Sequence, residues 1–289
     1  MKVVLIGANG QLGTDIIKKK PEGIDLYPLT RKDLDITDKE RVFSMFRELA
    51  PEAIINTAAF HRTDECEERE EEAFRVNTVA VKHLAEAAEA VGAKLIHIST
   101  DYVFDGKKME EKLPYFESDQ PNPINMYGLS KYAGEIAIKT YTDNYLIVRI
   151  SSVFGLAGAS GKGGNFVYTI IRLAKERKKL KVVDDIYMSP TYTEDAAETI
   201  WKLLLEGRPS GIYHSANDGI CSWYEFAREI VNLLNLNVEI EPVDHTFYST
   251  KAKRPLWSPI ASERGIKLRH WKEALKDFLN KKADPERCV

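Results

Sequence analysis

The 289-residue sequence predicts an α/β protein built on a doubly wound parallel sheet, with a smaller C-terminal lobe. Three observations carry that prediction. Short β-branched runs alternate with segments of helical period as far as Ile150. A glycine-rich turn joins the first strand to the first helix. Beyond Ile150 the alternation loosens into glycine-rich loop, short strands and prolines.

Taken in order, Lys2–Gly7 (KVVLIG) is a continuous apolar run, the pattern of a strand buried on both faces. Residues 11–20 follow as a helix closed by Pro21-Glu22-Gly23. Residues 24–29 read as the second strand, and 38–49 as a helix with Asp38 in its negatively charged first turn. The third strand is 53–56, followed by one long helix over 71–91 that Gly92 stops. A fourth strand at 94–99, a helix at 127–141 and a fifth strand at 145–150 complete the alternation. The second half predicts helices at 166–178, 193–205, 223–234 and 271–280, with strands at 181–183 and 211–214. No internal repeat or low-complexity segment is visible.

The glycine turn, Gly7-Ala8-Asn9-Gly10-Gln11-Leu12-Gly13, lies between a predicted strand and a predicted helix. Glycine there lets the backbone approach a pyrophosphate, and the helix start offers free N–H groups and partial positive charge. That context points to dinucleotide binding by a Rossmann-type sheet. We therefore expect 1–152 to form the dinucleotide-binding domain, with 181–215 returning to it. Residues 153–180 and 216–289 would form the smaller substrate-binding lobe. After the second strand the chain reads Thr30-Arg31-Lys32, with no carboxylate before Asp33. A guanidinium suits a ribose 2′-phosphate, which favours NADPH over NADH, although an ordinary solvated Arg-Lys pair gives the same residues.

Composition narrows the function classes. The charge balance of 41 Lys+Arg against 44 Asp+Glu lacks the basic footprint of a general nucleic-acid binder. No apolar stretch approaches the roughly 20 residues of a membrane span. The first predicted strand starts at Lys2, leaving no room for a signal peptide, so the cytoplasm is the expected compartment. Cys66, Cys221 and Cys288 are scattered, and HExxH is absent, so neither a disulfide framework nor a metal site is expected.

Two further clusters carry chemistry. Tyr127-Gly128-Leu129-Ser130-Lys131 spaces a phenol and an ammonium four residues apart on one helix face. The cation would lower the tyrosine pKa from about 10 towards neutrality. Ser99-Thr100-Asp101-Tyr102 ends the fourth strand, at the sheet edge where ligands bind. A hydroxyl there can hold a substrate carbonyl, or simply cap the following turn.

The glycine turn, Asp35-Ile36, Asn56-Thr57-Ala58-Ala59, residues 99–104 (STDYVF) and Tyr127…Lys131 resemble the extended short-chain dehydrogenase/reductases. More narrowly, GANGQLG, STDYVFDG, YGLSKYAGE and the late Arg254-Pro255 resemble the dTDP-4-dehydrorhamnose reductase family over most of the chain, most strongly from 1 to 150. The resemblance implies reduction of the 4-keto group of a nucleotide-linked 6-deoxy sugar with NADPH, or with NADH, and a homodimer. It implies that Gly10, Gln11 and Leu12 wrap the pyrophosphate and that Asp35 and Ile36 border the adenine. Ala58, Ala59 and Phe60 would line the path to the nicotinamide ribose. Thr100 would orient the carbonyl, Tyr127 donate the proton and Lys131 hold the ribose hydroxyls. Asp101, Ser152, Asn165 and Arg254 would join Thr100 and Tyr127 around the sugar. One position departs: the family's Arg-x-Ser-Trp-Val is here Arg149-Ile150-Ser151-Ser152-Val153, with Ser152 in place of the tryptophan. Leu256-Trp257-Ser258-Pro259-Ile260 is a loose version of the segment that follows Arg-Pro.

Other signals read as structure. Gly155…Gly161-Lys162 is not a phosphate-binding P-loop, because five residues separate its glycines and Gly163 follows the lysine. The acidic run 64–72 reads as a solvated helix start, and 175–181 (KERKKLK) as a solvated helix end. His97, Trp201 and Trp223 read as core. Two rival functions share the motifs. A sugar-nucleotide epimerase or dehydratase would retain NAD. A non-catalytic NADP-binding subunit, like the regulatory subunits of methionine adenosyltransferase that resemble this family, would need no Thr100–Tyr127–Lys131 set.

Overall fold

The first strand, β1 (Lys2–Ile6), is buried from Val3 onward, and Gly7 turns the chain into α1 (Gln11–Lys18). This is a computed structural model, and it describes residues 1–158 and 164–283. There follow β2 (Asp25–Leu29), α2 (Lys39–Leu49) and β3 (Ala53–Asn56). Asp38 caps α2 by accepting from the Arg41 N–H, so it precedes the helix rather than lying in its first turn. Next come α3 (Thr63–Glu68), α4 (Glu70–Phe74), a π turn at Arg75–Val79 and α5 (Ala80–Val91), which ends at Gly92 in the left-handed conformation. Then β4 (Lys94–Thr100), α6 (Met126–Tyr141) and β5 (Tyr145–Ile150) complete the alternation.

The second half contains β6 (Val153–Phe154), α7 (Phe166–Glu176), β7 (Lys179–Val183), β8 (Tyr187–Met188), β9 (Thr191–Tyr192) and α8 (Thr193–Leu205). It closes with β10 (Gly211–His214), β11 (Cys221–Ser222), α9 (Trp223–Leu233), β12 (Glu239–Val243) and α10 (Trp271–Ala283). Asn125 caps α6, Asn165 caps α7, and Ser222 with Glu225 forms a reciprocal capping box on α9.

Six parallel strands lie in the order β2-β1-β3-β4-β5-β10, the doubly wound arrangement the sequence predicts. Pro28, which cannot donate to a ladder, lies in the edge strand β2. One face packs Val3, Leu5 and Ile55 against Ile16 of α1 and Ile200 and Trp201 of α8. The other packs Val4, Ile6 and Ile54 against Phe46 of α2 and Leu84 of α5. The order reverses at β1, and the crevice this opens at the strands' carboxyl ends holds the site.

Two segments differ from the sequence reading. The expected helix over 71–91 starts earlier and is interrupted by the π turn. There the Asn77 side chain grips Phe60, accepting from its N–H at 2.8 Å and donating to its carbonyl at 3.0 Å. A Cβ on Gly134 of α6 would run into the Asn77 carbonyl, so the turn needs glycine opposite it. Of the stretch 181–215, α8 and β10 join the main sheet but the strand at its start does not. That strand, β7, pairs in parallel with β12, because the alternate buried residues Leu180 and Val182 face the smaller lobe's core. Phe154, Tyr192, Phe226, Trp271 and Phe278 form that third core. Among the described residues no helix is long and apolar enough to cross a membrane.

Candidate active site

Two cavities open along the crevice. The first, about 620 Å³, runs from the glycine turn past the end of β4 to α6. Gly7 adopts φ +81°, and a Cβ on it would stand 2.6 Å from the Thr57 hydroxyl. A Cβ on Gly13 would press into the Gly7 carbonyl, so this glycine allows helix and strand to meet. Gly10 precedes α1 with no side-chain cap, and the helix has no acid in its first turn. A helix start with uncapped donors and no negative charge is suited to a phosphate.

The structure brings nearly all the sequence-predicted site residues onto this one cavity. Gly7, Gly10, Gln11, Leu12, Gly13, Arg31, Asp35, Ile36, Ala58, Ala59 and Phe60 line it, as do Thr100, Asp101, Tyr127, Lys131, Ser152 and Asn165. Arg31 stands at the rim, 73% exposed, and touches Asp35 at 3.4 Å. Ser152 holds φ +42°, a left-handed conformation uncommon outside glycine. Lys162, in the glycine-rich segment that is not a P-loop, lies outside the described residues.

Several of these side chains are already committed. Thr100 caps the short turn after β4, accepting from the Tyr102 N–H at 3.1 Å, and donates to Asp101 at 3.1 Å. Asp101 is 3% exposed and accepts from Ser151 at 3.0 Å and Ser258 at 2.6 Å. Burial pushes its carboxyl up to about 6, against the pull of those hydroxyls. Asn165 spends its amide donating to Gln11 at 2.8 Å and to the Gly155 carbonyl at 2.9 Å, so it ties α7 to the glycine turn.

Tyr127 and Lys131 share one face of α6, but their electrostatics differ from the expectation. Burial pushes the Tyr127 phenol well above its ordinary value, against the pull of a hydrogen bond with Thr100. The Lys131 Nζ is engaged instead with the strand beneath, 3.0 Å from His97 Nε2 and 2.6 Å from the Ile98 carbonyl. Burial lowers the Lys131 amine to about 8, with Glu135 acting in the opposite direction. Glu135 is itself paired with Arg149 at 2.7 Å, both completely buried, and accepts from Ser99 at 2.5 Å.

Arg254 stands apart from the other predicted residues, in the second cavity. That cavity, about 990 Å³, is lined by Lys181, His245, Lys251, Lys253 and Arg254 beside Tyr248. Tyr102, Phe166 and Trp223 line both cavities and form the seam between them. Trp223 thus packs against the third core but is partly exposed on a cavity wall, 4.6 Å from Phe166 between ring centres. Its helical spacing is the same in either case, so periodicity could not place it. Trp201 does lie in the core, with its indole donating to the Ile16 carbonyl.

The acidic run is likewise more than a solvated helix start. Asp64 holds Arg254, Glu67 accepts from the Met126 N–H at the start of α6, and Glu68 pairs with Lys251. Cations from a segment almost two hundred positions away recruit Asp64 and Glu68, and no local pattern records that. Lys175 is exposed, as a solvated helix end would be, but Lys181 reaches the second cavity. Among the described residues no group of His, Cys, Asp and Glu is arranged to hold a metal ion.

A family profile described as RmlD substrate binding domain matches residues 1–283. The chain is 39% identical over 287 residues to the spore coat polysaccharide biosynthesis protein SpsK of Bacillus subtilis (strain 168), covering 98% of each. It is 34% identical over 300 residues to the dTDP-4-dehydrorhamnose reductase of Escherichia coli (strain K12), covering 97% of each. The crystal structure of dTDP-4-dehydrorhamnose reductase from Bacillus anthracis str. Ames in complex with NADP superposes with a TM-score of 0.91 at 40% identity, covering 97% of this chain and 99% of that one.

Proposed function

The chain belongs to the dTDP-4-dehydrorhamnose reductase family of extended short-chain dehydrogenase/reductases, and on that premise we propose that it reduces dTDP-4-dehydro-L-rhamnose to dTDP-L-rhamnose with NADPH. The observation that carries this is the seam. Two cavities of different chemistry meet at Tyr102, whose ring stands edge-on to Tyr127 at 5.9 Å. The first offers a glycine turn and a bare helix start, which fit a dinucleotide. The second offers cations and aromatic rings, which fit a nucleoside diphosphate. A sugar bridging them would present its 4-keto group at Thr100 and Tyr127.

NADPH, when bound, supplies a hydride from the nicotinamide. The residues of the chain do the rest. The backbone at Gly10, Gln11 and Leu12 binds the pyrophosphate, and Arg31 at the rim takes the ribose 2′-phosphate. Asp35 and Ile36 border the adenine, while Ala58, Ala59 and Phe60 close the wall toward the nicotinamide ribose. The Thr100 hydroxyl, turning its O–H from Asp101 to the substrate, orients the carbonyl oxygen. The Tyr127 O–H donates its proton to that oxygen as negative charge develops on it. A phenol held above its ordinary pKa remains protonated at neutral pH, which is the form a reduction consumes. Lys131, one turn along α6, lines the same cavity, and its Nζ would turn from the Ile98 carbonyl to meet the ribose hydroxyls. Ser152 leaves open the space that the family's tryptophan would fill.

The test is oxidation of NADPH by the purified protein given dTDP-4-dehydro-L-rhamnose, with the product identified and NADH run in parallel. Turnover to dTDP-L-rhamnose, faster with NADPH, is the expected result. Tight NADPH binding without turnover would overturn the sugar assignment. Retained NAD released on denaturation would favour the epimerase chemistry instead.

A further inference from the structure

Lys131 is the end of a buried chain of hydrogen bonds that begins in the backbone of the cofactor cavity. Asn56, at the end of β3, is fully buried, and its Oδ1 accepts from the Ala58 N–H at 3.1 Å. A backbone N–H can only donate, so the Asn56 amide is held one way round and presents its NH2 to His97 Nδ1, 3.1 Å away. His97 Nδ1 must then accept. A neutral imidazole with an accepting Nδ1 carries its proton on Nε2, and Nε2 faces Lys131 Nζ at 3.0 Å. An ammonium there would set N–H against N–H. An amine can instead accept from Nε2–H with its lone pair while donating to the Ile98 carbonyl at 2.6 Å.

We propose that His97 is a positioning residue that, with its tautomer fixed by Asn56, turns its Nε2–H on Lys131 and so favours the amine over the ammonium, and that charging Lys131 strains the Asn56–Ala58 turn. The direction of both titrations agrees. Burial lowers His97 well below its ordinary range, and it lowers Lys131 to about 8. The other groups around Lys131 are engaged elsewhere. On α6, Tyr127 precedes it by one turn, and Glu135 follows it by one turn, bound to Arg149 of β5 and Ser99 of β4. At the end of β4, Asp101 is held by Ser151 and Ser258. From α3, Cys66 acts on Tyr127. Ala58 lines the same cavity as Lys131, so the charge on Lys131 and the shape of the cofactor wall are coupled through Asn56. This consequence for catalysis rests on the proposed role of the cavity; the tautomer does not.

The test reads protonation directly, on the protein without substrate. Nitrogen NMR of the wild-type imidazole should show His97 neutral with its proton on Nε2, and the Lys131 Cε resonance should titrate near pH 8. Asn56→Asp keeps an acceptor for Ala58 but offers His97 Nδ1 a carboxylate. The proton should move to Nδ1, Nε2 should then accept from a Lys131 ammonium, and the Lys131 titration should rise by about one pH unit or more. A wild-type Nδ1–H tautomer, a charged His97 at neutral pH, or a Lys131 titration unmoved in a folded Asn56→Asp protein would each overturn the proposal. Should that variant not fold, the wild-type tautomer alone decides. None of these readouts depends on which sugar is reduced.

Discussion

Arg254 closes on Asp64 as a two-pronged pair, with its terminal nitrogens 2.6 and 2.8 Å from the two carboxylate oxygens. The guanidinium holds the Asp64 carboxyl down to about 2 and anchors the 251–254 segment against α3. With Arg254 21% and Asp64 42% exposed, the pair adds no more than about 1 kcal/mol of stability. Its consequence falls on the second cavity. Arg254→Ala should raise the KM for the nucleotide sugar by about tenfold or more, the cost of one charge-assisted contact. NADPH affinity and the melting temperature should change little. Asp64→Asn, which keeps the cation but loosens it, should raise KM by less. Steady-state kinetics with NADPH titrations check both.

Tyr127 is placed to act only once hydride transfer begins, so its hydroxyl should matter to the rate and not to binding. Tyr127→Phe should lower kcat by about a hundredfold to ten-thousandfold, the range for a positioned proton donor. NADPH affinity should remain within about a factor of three, since the phenol is one contact among many along the cofactor cavity. Equal losses in kcat and in NADPH binding would instead make Tyr127 a binding residue. Stopped-flow hydride transfer with fluorescence titration separates these outcomes.

What the sequence makes legible follows from the range of each interaction. The sheet strands and most helices are visible because burial on both sides writes continuous apolar runs, and helical faces write a 3.6 period. The glycine turn is visible because only glycine tolerates the approaches at Gly7 and Gly13. Tyr127 and Lys131 are visible because they share one helix. Trp223 is not, since a cavity wall and a core impose the same spacing. Nor is the π turn, whose cause is Asn77 reaching Phe60 across a loop. The pairings Asp64–Arg254, Lys131–His97 and Glu135–Arg149 all bring together residues from different elements, and no local pattern announces a partner that distant.

The Glu135–Arg149 pair is the part of the site region whose loss the fold should tolerate least. Both side chains are completely buried, and Arg149 also reaches His214 at 3.4 Å and lies over the Phe104 ring. Glu135→Ala leaves a buried guanidinium without its counter-charge and should cost about 3–5 kcal/mol. Replacing both, as Glu135→Leu with Arg149→Met, removes the orphaned charge and should recover much of that loss. Denaturant unfolding of Glu135→Leu alone, Arg149→Met alone and the double variant gives the coupling.

Asp101 gives the stability of the free protein a pH dependence of unusual sign. Its carboxyl titrates at about 6 in the folded chain, against 3.8 for an ordinary aspartate, because burial penalises the charged form more than the surrounding hydroxyls favour it. Between those two values the folded chain binds the proton and the unfolded chain does not. Stability contributed by this group is therefore fully present below about pH 4 and declines as pH rises through 6, after which it stays flat. The displacement of about two units corresponds to a decline of at most about 3 kcal/mol. Asp101→Asn keeps acceptors for Ser151 and Ser258 but cannot ionise, so its unfolding free energy should lack this decline. The variant should be the less stable protein, or equal, at pH 4.5 and the more stable one at pH 7.5. Urea unfolding of both proteins across that interval tests it. Parallel pH profiles would mean that Asp101 remains ionised throughout and that Thr100 is held by a carboxylate rather than by a carboxylic acid.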